Sequence, residues 1–353
     1  MGRPLLAVLL LAALPACTSL SQSGLITPAA PAQERLGTGA HVIGVLSFTE
    51  PGNLAGGVPE ASYQAARLAA TGLAKSPVSI EIRNATADGA RAAALALAEV
   101  GVRIAVLPAD ARSVSQAATT LAGKGVPSLS LARTGDSGKN LYGAGFDPAE
   151  ETAALAADIA ARGIARVALV TMAGEPSRLW AGAAAKALTA KGIAVTPVDA
   201  GDFERAQRTL AALPDIGGVV FATTPEVAAS LALVLRADPA RAALVLFGNA
   251  EWALAMPVPP ALKGALYAAP AGNALRDYAR RFAAASGQRP TLASALVYDL
   301  VIMSAALQAS VPGTPYDRAT LTGTDGFRGF SGAFAFAPSG LVLVRQYAIT
   351  VLD

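Results

Sequence analysis

The stretch "VRIAVLPADARSVSQAATTLAGKGVPSLSLA", residues 102–132, decides the fold class of this 353-residue chain. Two short apolar runs, at 102–108 and 126–132, flank residues 113–125, whose apolar and small side chains follow a helical spacing. An apolar strand, a helix and a second apolar strand form a βαβ unit, in which the helix returns the chain so that the strands run parallel. The stretch therefore predicts an α/β fold with a parallel sheet covered by helices on both faces.

The same alternation continues on both sides of this stretch. Further apolar strands are predicted at 41–47, 78–84, 166–172, 192–198, 217–223 and 242–248, with helices between them. A new series begins at Asp147, a predicted N-cap followed by Pro148 at the first helical position. Two α/β units of similar length predict two lobes, with a cleft where the carboxyl ends of the strands meet. Two helices, at 273–287 and 291–310, and a hairpin turned by "APSG" complete the chain.

The N-terminal segment carries the only cysteine, Cys17, directly after an apolar run. Arg3 precedes the run from Leu5 to Leu14, which is about half the roughly 20 residues that a membrane-spanning helix needs. The sequence "LPAC" resembles the bacterial lipobox, which implies a signal peptide at 1–16 and lipidation of Cys17. The following residues, 17–40, are rich in Ser, Gly, Pro and Ala and are predicted to form a flexible tether. In Gram-negative lipoproteins, Thr18 after the cysteine implies export to the outer membrane, facing the periplasm.

Composition excludes several functions. Removing Arg3 leaves a net charge of 27 − 25 = +2, without any Lys or Arg run, so no nucleic-acid partner is expected. The single histidine, His41, argues against a His-based catalytic triad or metal site. No Ser-x-x-Lys or phosphate-binding Gly-x-x-x-x-Gly-Lys motif occurs, and "YGAGF" lacks the third glycine of a dinucleotide fingerprint. The chain is therefore expected to be non-catalytic, with neither a metal nor a cofactor.

Candidate binding residues lie in the loops that follow the predicted strands. Ser113 and Thr134 offer hydroxyl groups, and Ser130 is a further candidate, with Arg112 and Arg133 as possible charge partners. Backbone N–H groups at a helix N-terminus suit a ligand carboxylate. Ser113 is equally consistent with an N-cap, and the loop residues with a solvated surface.

In the second unit, Glu251 and Trp252 follow a strand, where a carboxylate could pair with a ligand ammonium group and an indole could cover it. A surface glutamate and a partly buried tryptophan are the structural alternatives. Asp299 lies inside an apolar helix, where a buried carboxylate needs a hydrogen-bond partner.

From His41 to the C-terminus, the chain resembles the type I periplasmic-binding fold, particularly its leucine-binding branch. The resemblance rests on the order of loose motifs, including "IGVLSFTEPGNLAGG", "ALVYDLVIMSAAL" and "GFRGFSGAFAFAPSGLVLVRQY". It implies two lobes joined by three crossovers, which capture a small amino-acid-type ligand for an ABC transporter. Lobe I is expected at 41–147 and 266–338, and lobe II at 148–265 and 339–353.

The ligand positions of that branch are matched only in part. Thr134 matches the hydroxyl expected after the fourth strand, but the serine expected earlier falls at Ala111. The acidic residue across the cleft falls at Ala250 or, one residue on, at Glu251, and an expected aromatic is missing near 176–177. A sister group with this fold, the lipoprotein activators of penicillin-binding peptidoglycan synthases, shares lipidation and an eroded pocket. The sequence thus leaves two partners open, a small ligand with its permease or a peptidoglycan synthase.

Overall fold

The computed structural model describes residues 33–48, 58–108, 111–241, 243–270, 273–343 and 345–353. It consists of two lobes, each a six-stranded, mostly parallel sheet flanked by helices, which confirms the predicted fold class. The signal peptide, Cys17 and Thr18 lie outside the described residues, so the lipidation prediction is not tested here.

The lobe I sheet has the strand order β1-β3-β2-β4-β5-β6. Its strands are β1 (Gln33–Leu36), β2 (His41–Phe48), β3 (Val78–Ala85), β4 (Val102–Leu107), β5 (Ser128–Ser130) and β6 (Leu141–Gly143). β4 and β5 are parallel neighbours, with Ala105 opposite Ser128, so the stretch at 102–132 forms the βαβ unit that its pattern predicts.

The first strand departs from the prediction of a tether at 17–40. Gln33–Leu36 pairs antiparallel with β3 at the edge of the sheet. Arg35 Nη2 donates a hydrogen bond to Ser79 Oγ at 2.9 Å, and Arg67 Nη1 lies 3.4 Å from Glu34 Oε1. The tether prediction is therefore wrong for these four residues. The sequence around them is typical of a linker, but hydrogen bonds and an ion pair with residues 30 to 50 positions further along the chain hold them in the sheet.

The lobe II sheet has the order β14-β11-β10-β9-β7-β8, in which only β14 is antiparallel to its neighbour. Its strands are β7 (Arg166–Thr171), β8 (Ala194–Asp199), β9 (Gly218–Ala222), β10 (Val245–Gly248), β11 (Leu266–Ala269) and β14 (Ala348–Val351). A separate hairpin pairs β12 (Phe327–Gly329) with β13 (Gly332–Phe334). The "APSG" turn forms as predicted, with Ala337 N donating to Leu341 O at 2.8 Å, but the chain after it continues into lobe II.

Helices cover both sheets. Those of lobe I are α1 (Val58–Gly72), α2 (Ala90–Glu99), α3 (Ala111–Ala122), α8 (Ala274–Ser286), α9 (Leu292–Ser310) and the short α10 (Arg318–Leu321). Those of lobe II are α4 (Pro148–Ala161), α5 (Glu175–Ala190), α6 (Phe203–Ala212) and α7 (Pro225–Ala237). Within the described residues, α9 is the one helix whose length and composition would allow it to cross a membrane. It packs along α1 and buries half of its residues, as a core helix does.

The chain passes between the lobes three times, and the structure shifts two of the predicted boundaries. The first passage runs through 144–147, between β6 and α4. Residues 266–269, which were predicted to belong to lobe I, form a strand of the lobe II sheet, so the second passage follows Ala269. Leu341 bridges to Gly143 of β6 and Val342 N donates to Gly143 O, so the third passage follows Val342 instead of 338. The resulting lobe boundaries depend on strand pairing across the chain.

Candidate functional site

On the lobe I side, the predicted cleft loops lie at the carboxyl edge of the sheet. Ser113 is buried within the first turn of α3, so it is not the residue that precedes the helix, and Arg112 beside it is exposed. The neighbouring residues 109–110 and the loop at 49–57, which the sequence analysis places in the same cleft, are outside the described residues. The structure therefore defines one hydroxyl at the start of α3.

The loop after β5 presents Thr134, which is exposed. Its backbone lies against β6, since a Cβ placed on Gly143 would come within 2.6 Å of Thr134 N. The nearby Ser130 is fully buried; its hydroxyl donates to Pro108 O at 3.3 Å and accepts from Ala132 N at 3.0 Å. Thr134 is available to a ligand, whereas Ser130 connects the ends of two strands.

Arg133 is engaged at the first passage between the lobes. Its Nη2 lies 2.8 Å from Glu150 Oε1 and its Nε lies 3.4 Å from Asp147 Oδ2. Asp147 caps α4 as predicted, accepting from Ala149 N at 2.9 Å. Arg133 is therefore paired within the protein, which argues against its being a charge partner for a ligand.

On the lobe II side, Glu251 occupies a short 3-10 turn after β10. Its Oε1 accepts from Leu292 N at 3.4 Å, at the start of the lobe I helix α9, which also has a capping box of Thr291 and Ser294. Although the residue as a whole is only half-buried, enclosure of its carboxyl group raises the pKa of Glu251 to about 7. A carboxylate at a helix N-terminus is favourable, and here it connects the two lobes.

Trp252, the fourth predicted contact residue, lies in the core. It is fully buried, its Nε1 donates to Thr223 O at 3.4 Å, and its ring packs beside Phe221. Gly248 is required beneath it, because a Cβ there would come within 2.0 Å of the indole. In this conformation no face of the indole is open to a ligand, so the structural alternative describes Trp252 better than the binding role.

A second carboxylate, that of Glu151, lies beside this turn. Its Oε1 accepts from Ala250 N at 2.7 Å. Ala250 is one of the two positions at which the cross-cleft acidic residue was expected, so a carboxyl group from the first turn of α4 lies beside that position. Burial raises the pKa of Glu151 to about 8, against the lowering effect of the Ala250 bond. At the start of α5, Ser177 Oγ donates to Ala222 O at 2.5 Å and accepts from Met172 N at 3.1 Å, connecting two strand ends.

Sequence reasoning missed a cluster at the interlobe passages, centred on Arg345. This side chain is 2% exposed, and its guanidinium donates to Ser331 O at 2.9 Å and to Ala144 O at 2.5 Å. It also lies 4.8 Å from the ring of Phe146 and 4.7 Å from that of Phe334. Burial lowers the pKa of Arg345 to about 10. An arginine inside the apolar run "LVLVRQYAIT" is the sequence signal that could have revealed it.

Asp299 completes this cluster and confirms that a buried carboxylate needs partners. It accepts from Phe330 N at 3.0 Å and from Ser331 N at 2.6 Å, which holds the β12–β13 turn. Gly329 lets this turn lie close to Asp299, since a Cβ on Gly329 would come within 2.4 Å of the Asp299 carboxyl carbon. We call Arg345, Asp299, Glu150 and Arg133 the passage cluster.

A second missed contact also joins the two lobes. Glu226, at the N-terminus of α7, forms a salt bridge with Arg289, in the loop before α9. Both side chains are largely exposed, at 51% and 75% respectively. We call this salt bridge and the Glu251–Leu292 bond the facing contacts, because each joins a lobe II element to the same end of lobe I.

The arrangement offers hydrogen-bonding groups on two facing lobes. Across the described ranges, no three His, Cys, Asp or Glu side chains are grouped so that they could hold a metal ion. The predicted contact residues belong to both lobes, with the hydroxyls of Ser113 and Thr134 on lobe I and the Glu251 carboxyl group on lobe II.

Comparison with known proteins identifies the family of the chain. Residues 49–353 match the sequence profile of a family described as periplasmic binding protein. No curated protein matches the chain by sequence comparison.

Three solved structures illustrate the fold. A Rhodospirillum rubrum protein, provisionally assigned as a branched-chain amino acid ABC transporter, shows 23% identity and a TM-score of 0.65, covering 89% of this chain and 98% of that one. The branched-chain amino acid transporter substrate-binding protein of Streptococcus pneumoniae, in complex with isoleucine, shows 18% identity and a TM-score of 0.61, with coverages of 89% and 96%. An ABC transporter solute-binding protein of R. palustris, in complex with benzoate, shows 15% identity and 0.62, with coverages of 89% and 94%. At these identities the likeness establishes the fold.

Proposed function

The chain belongs to the periplasmic binding protein family, and from that premise we propose that it is an exported, non-catalytic solute-binding protein of the branched-chain amino acid ABC transporter type. The observation that carries the proposal is the extent of the family match, 49–353, over a chain folded into two lobes with three passages between them. The activator of a peptidoglycan synthase, the alternative from the sequence, gains no support from the structures compared above.

The proposed ligand is a small amino-acid-type molecule held in the interlobe cleft. Two of the compared structures contain isoleucine and benzoate, which share a carboxylate group. In this chain, we propose that Thr134, which is exposed, and Ser113, which is buried in the conformation described, receive the ligand carboxylate once the start of α3 is uncovered, where helix N–H groups favour an anion. Glu251 is the proposed partner of a ligand ammonium group, which it would bind in place of the Leu292 N–H. Trp252 would support the turn from below.

The proposed anchor is a lipid on Cys17, which holds the protein at the periplasmic side of a membrane, with Thr18 favouring the outer membrane. The Cys17→Ser variant should fold normally but leave the membrane fraction, because acyl chains contribute about 0.8 kcal/mol per buried methylene. Fractionation of cells measures this directly. A variant that remains in the membrane pellet would contradict the anchor.

Ligand binding is tested with the Cys17→Ser chain and a panel of amino acids, amides and aromatic carboxylates. A ligand that binds only the folded state adds about 2.7 kcal/mol at 100 times its Kd, which raises the Tm by a few degrees. Ser113→Ala and Thr134→Ala should each weaken binding by about 0.5–1.5 kcal/mol. Ser115→Ala, an exposed serine of the same helix, is the matched control and should leave the affinity unchanged.

The outcomes separate the two classes of partner. One clear shift, weakened by the Ser113 and Thr134 variants but not by the control, supports a solute-binding protein with this pocket. A shift that all three variants leave intact keeps the function and rejects the pocket. A flat panel, together with a peptidoglycan synthase crosslinked to the lipidated protein in cells, would overturn the proposal in favour of the activator.

A further inference from the structure

Lobe I carries a large groove formed by α8, α9 and the β12–β13 hairpin. Its volume is about 650 Å³, within the range of small-molecule sites. Apolar and aromatic side chains form much of its wall; among them are Tyr298, Ile302, Met303, Leu307 and Phe327. It shares no residue with the proposed cleft site, so it is not explained by the solute-binding function.

The aromatic wall of the groove is rigidly packed. The ring centroids of Tyr298 and Phe330 are 5.4 Å apart, and both rings also pack on buried Tyr278, at 5.9 and 5.7 Å. Asp299 fixes the turn that carries Phe330 through its two backbone hydrogen bonds. A preformed apolar wall of this kind binds without a large ordering cost.

Two arginines give the groove its charge. Arg281 and Arg328 both line it and both are exposed, and the guanidinium of Arg281 lies 5.3 Å from the ring of Phe330. Among the described residues, neither arginine forms an ion pair. The carboxylate that also borders the groove, Asp299, is already bonded to two N–H groups of the hairpin. The groove therefore combines an apolar wall with two cations that have no anionic partner in the described part of the chain.

We propose that this groove is an accessory binding site for a small amphipathic carboxylate, with its apolar chain against the aromatic wall and its carboxylate at Arg281 and Arg328. Arginine suits this role because its planar guanidinium binds a carboxylate through two parallel hydrogen bonds and stacks on aromatic rings. The apolar wall selects for chain length, and the two cations select for negative charge. The site does not depend on the function of the cleft.

Equilibrium dialysis measures the affinity of the Cys17→Ser chain for octanoate, with octanamide and butyrate as matched probes. Octanoate should bind about tenfold more tightly than octanamide, which lacks the charge, and more tightly than butyrate, which lacks the chain. The double variant Arg281→Gln, Arg328→Gln should remove the preference for octanoate over octanamide. Arg280→Gln, a neighbouring arginine of α8 that lies outside the groove and pairs with Asp277, is the matched control.

A variant that fills the groove locates the binding. Ala306 lines the groove and is exposed, so Ala306→Phe occupies the space without disturbing the core and should abolish octanoate binding. Octanoate that binds equally to Ala306→Phe would place it elsewhere and overturn the proposal. Equal affinity for octanoate and octanamide, or no octanoate binding up to about 5 mM, would overturn it as well.

Discussion

The two lobes are joined in two regions that differ in burial. In the passage cluster, Arg345 is 2% exposed and bonds carbonyl oxygens on two other chain segments. In the facing contacts, the Glu226–Arg289 salt bridge is mostly exposed and Glu251 makes a single bond at 3.4 Å. Buried charged hydrogen bonds are costly to break, whereas exposed ion pairs contribute little. From this difference we predict that the lobes pivot about the passage cluster while the facing contacts form and separate.

The largest effect is expected from Arg345→Met. Losing two hydrogen bonds from a buried guanidinium leaves the carbonyls of Ala144 and Ser331 unpaired, which should lower the free energy of unfolding by about 3–5 kcal/mol. Urea denaturation measures this. The control is Arg208→Met, an exposed i,i+4 pair with Glu204, expected to cost less than about 0.5 kcal/mol. Equal costs for the two variants would remove the basis of the comparison.

A pH effect is expected at Glu151. This residue follows Glu150 of the passage cluster and accepts a hydrogen bond from Ala250, the neighbour of Glu251. Its folded-state pKa is raised to about 8, so the folded chain holds a proton that the unfolded chain releases above pH 4.5. Stability should therefore fall as the pH rises from about 4.5 to 8, by up to about 1.4 kcal/mol per unit. Glu151→Gln keeps an acceptor for Ala250 N but cannot titrate, so this part of the slope should disappear. An unchanged slope in urea titrations between pH 5 and 8 would show that Glu151 is charged in the fold.

The smallest effect is expected at the facing contacts. A double-mutant cycle with Glu226→Gln and Arg289→Gln should give a coupling of about 0.2–1 kcal/mol, weaker at high salt. Spin-label distances between the lobes should show a larger open population in either variant. A coupling above about 2 kcal/mol, insensitive to salt, would mean that this contact holds the lobes as firmly as the passage cluster does.

The sequence alone determined most of the parallel strands and the main helices, and their alternation along the chain. Helices α8 and α9 match the predicted helices at 273–287 and 291–310 to within one residue at each end, and the N-cap at Asp147 is confirmed, because each depends on side chains within a few residues. It also pointed to the ends of the strands as the place of a site. These features follow from local periodicity and capping, which a single sequence displays directly.

Only the tertiary structure decided which candidate side chains are paired or buried within the protein and which are available to a ligand. Arg133 was a candidate ligand partner until Asp147 and Glu150 proved to hold it, and Trp252 was a candidate cover until Gly248 proved to make room for it in the core. Arg345 N bonds Glu150 across 195 residues, and Gln33–Leu36 becomes a strand through pairing with 80–83. Such contacts join groups far apart in the sequence, and their energies depend on burial that only the folded chain creates.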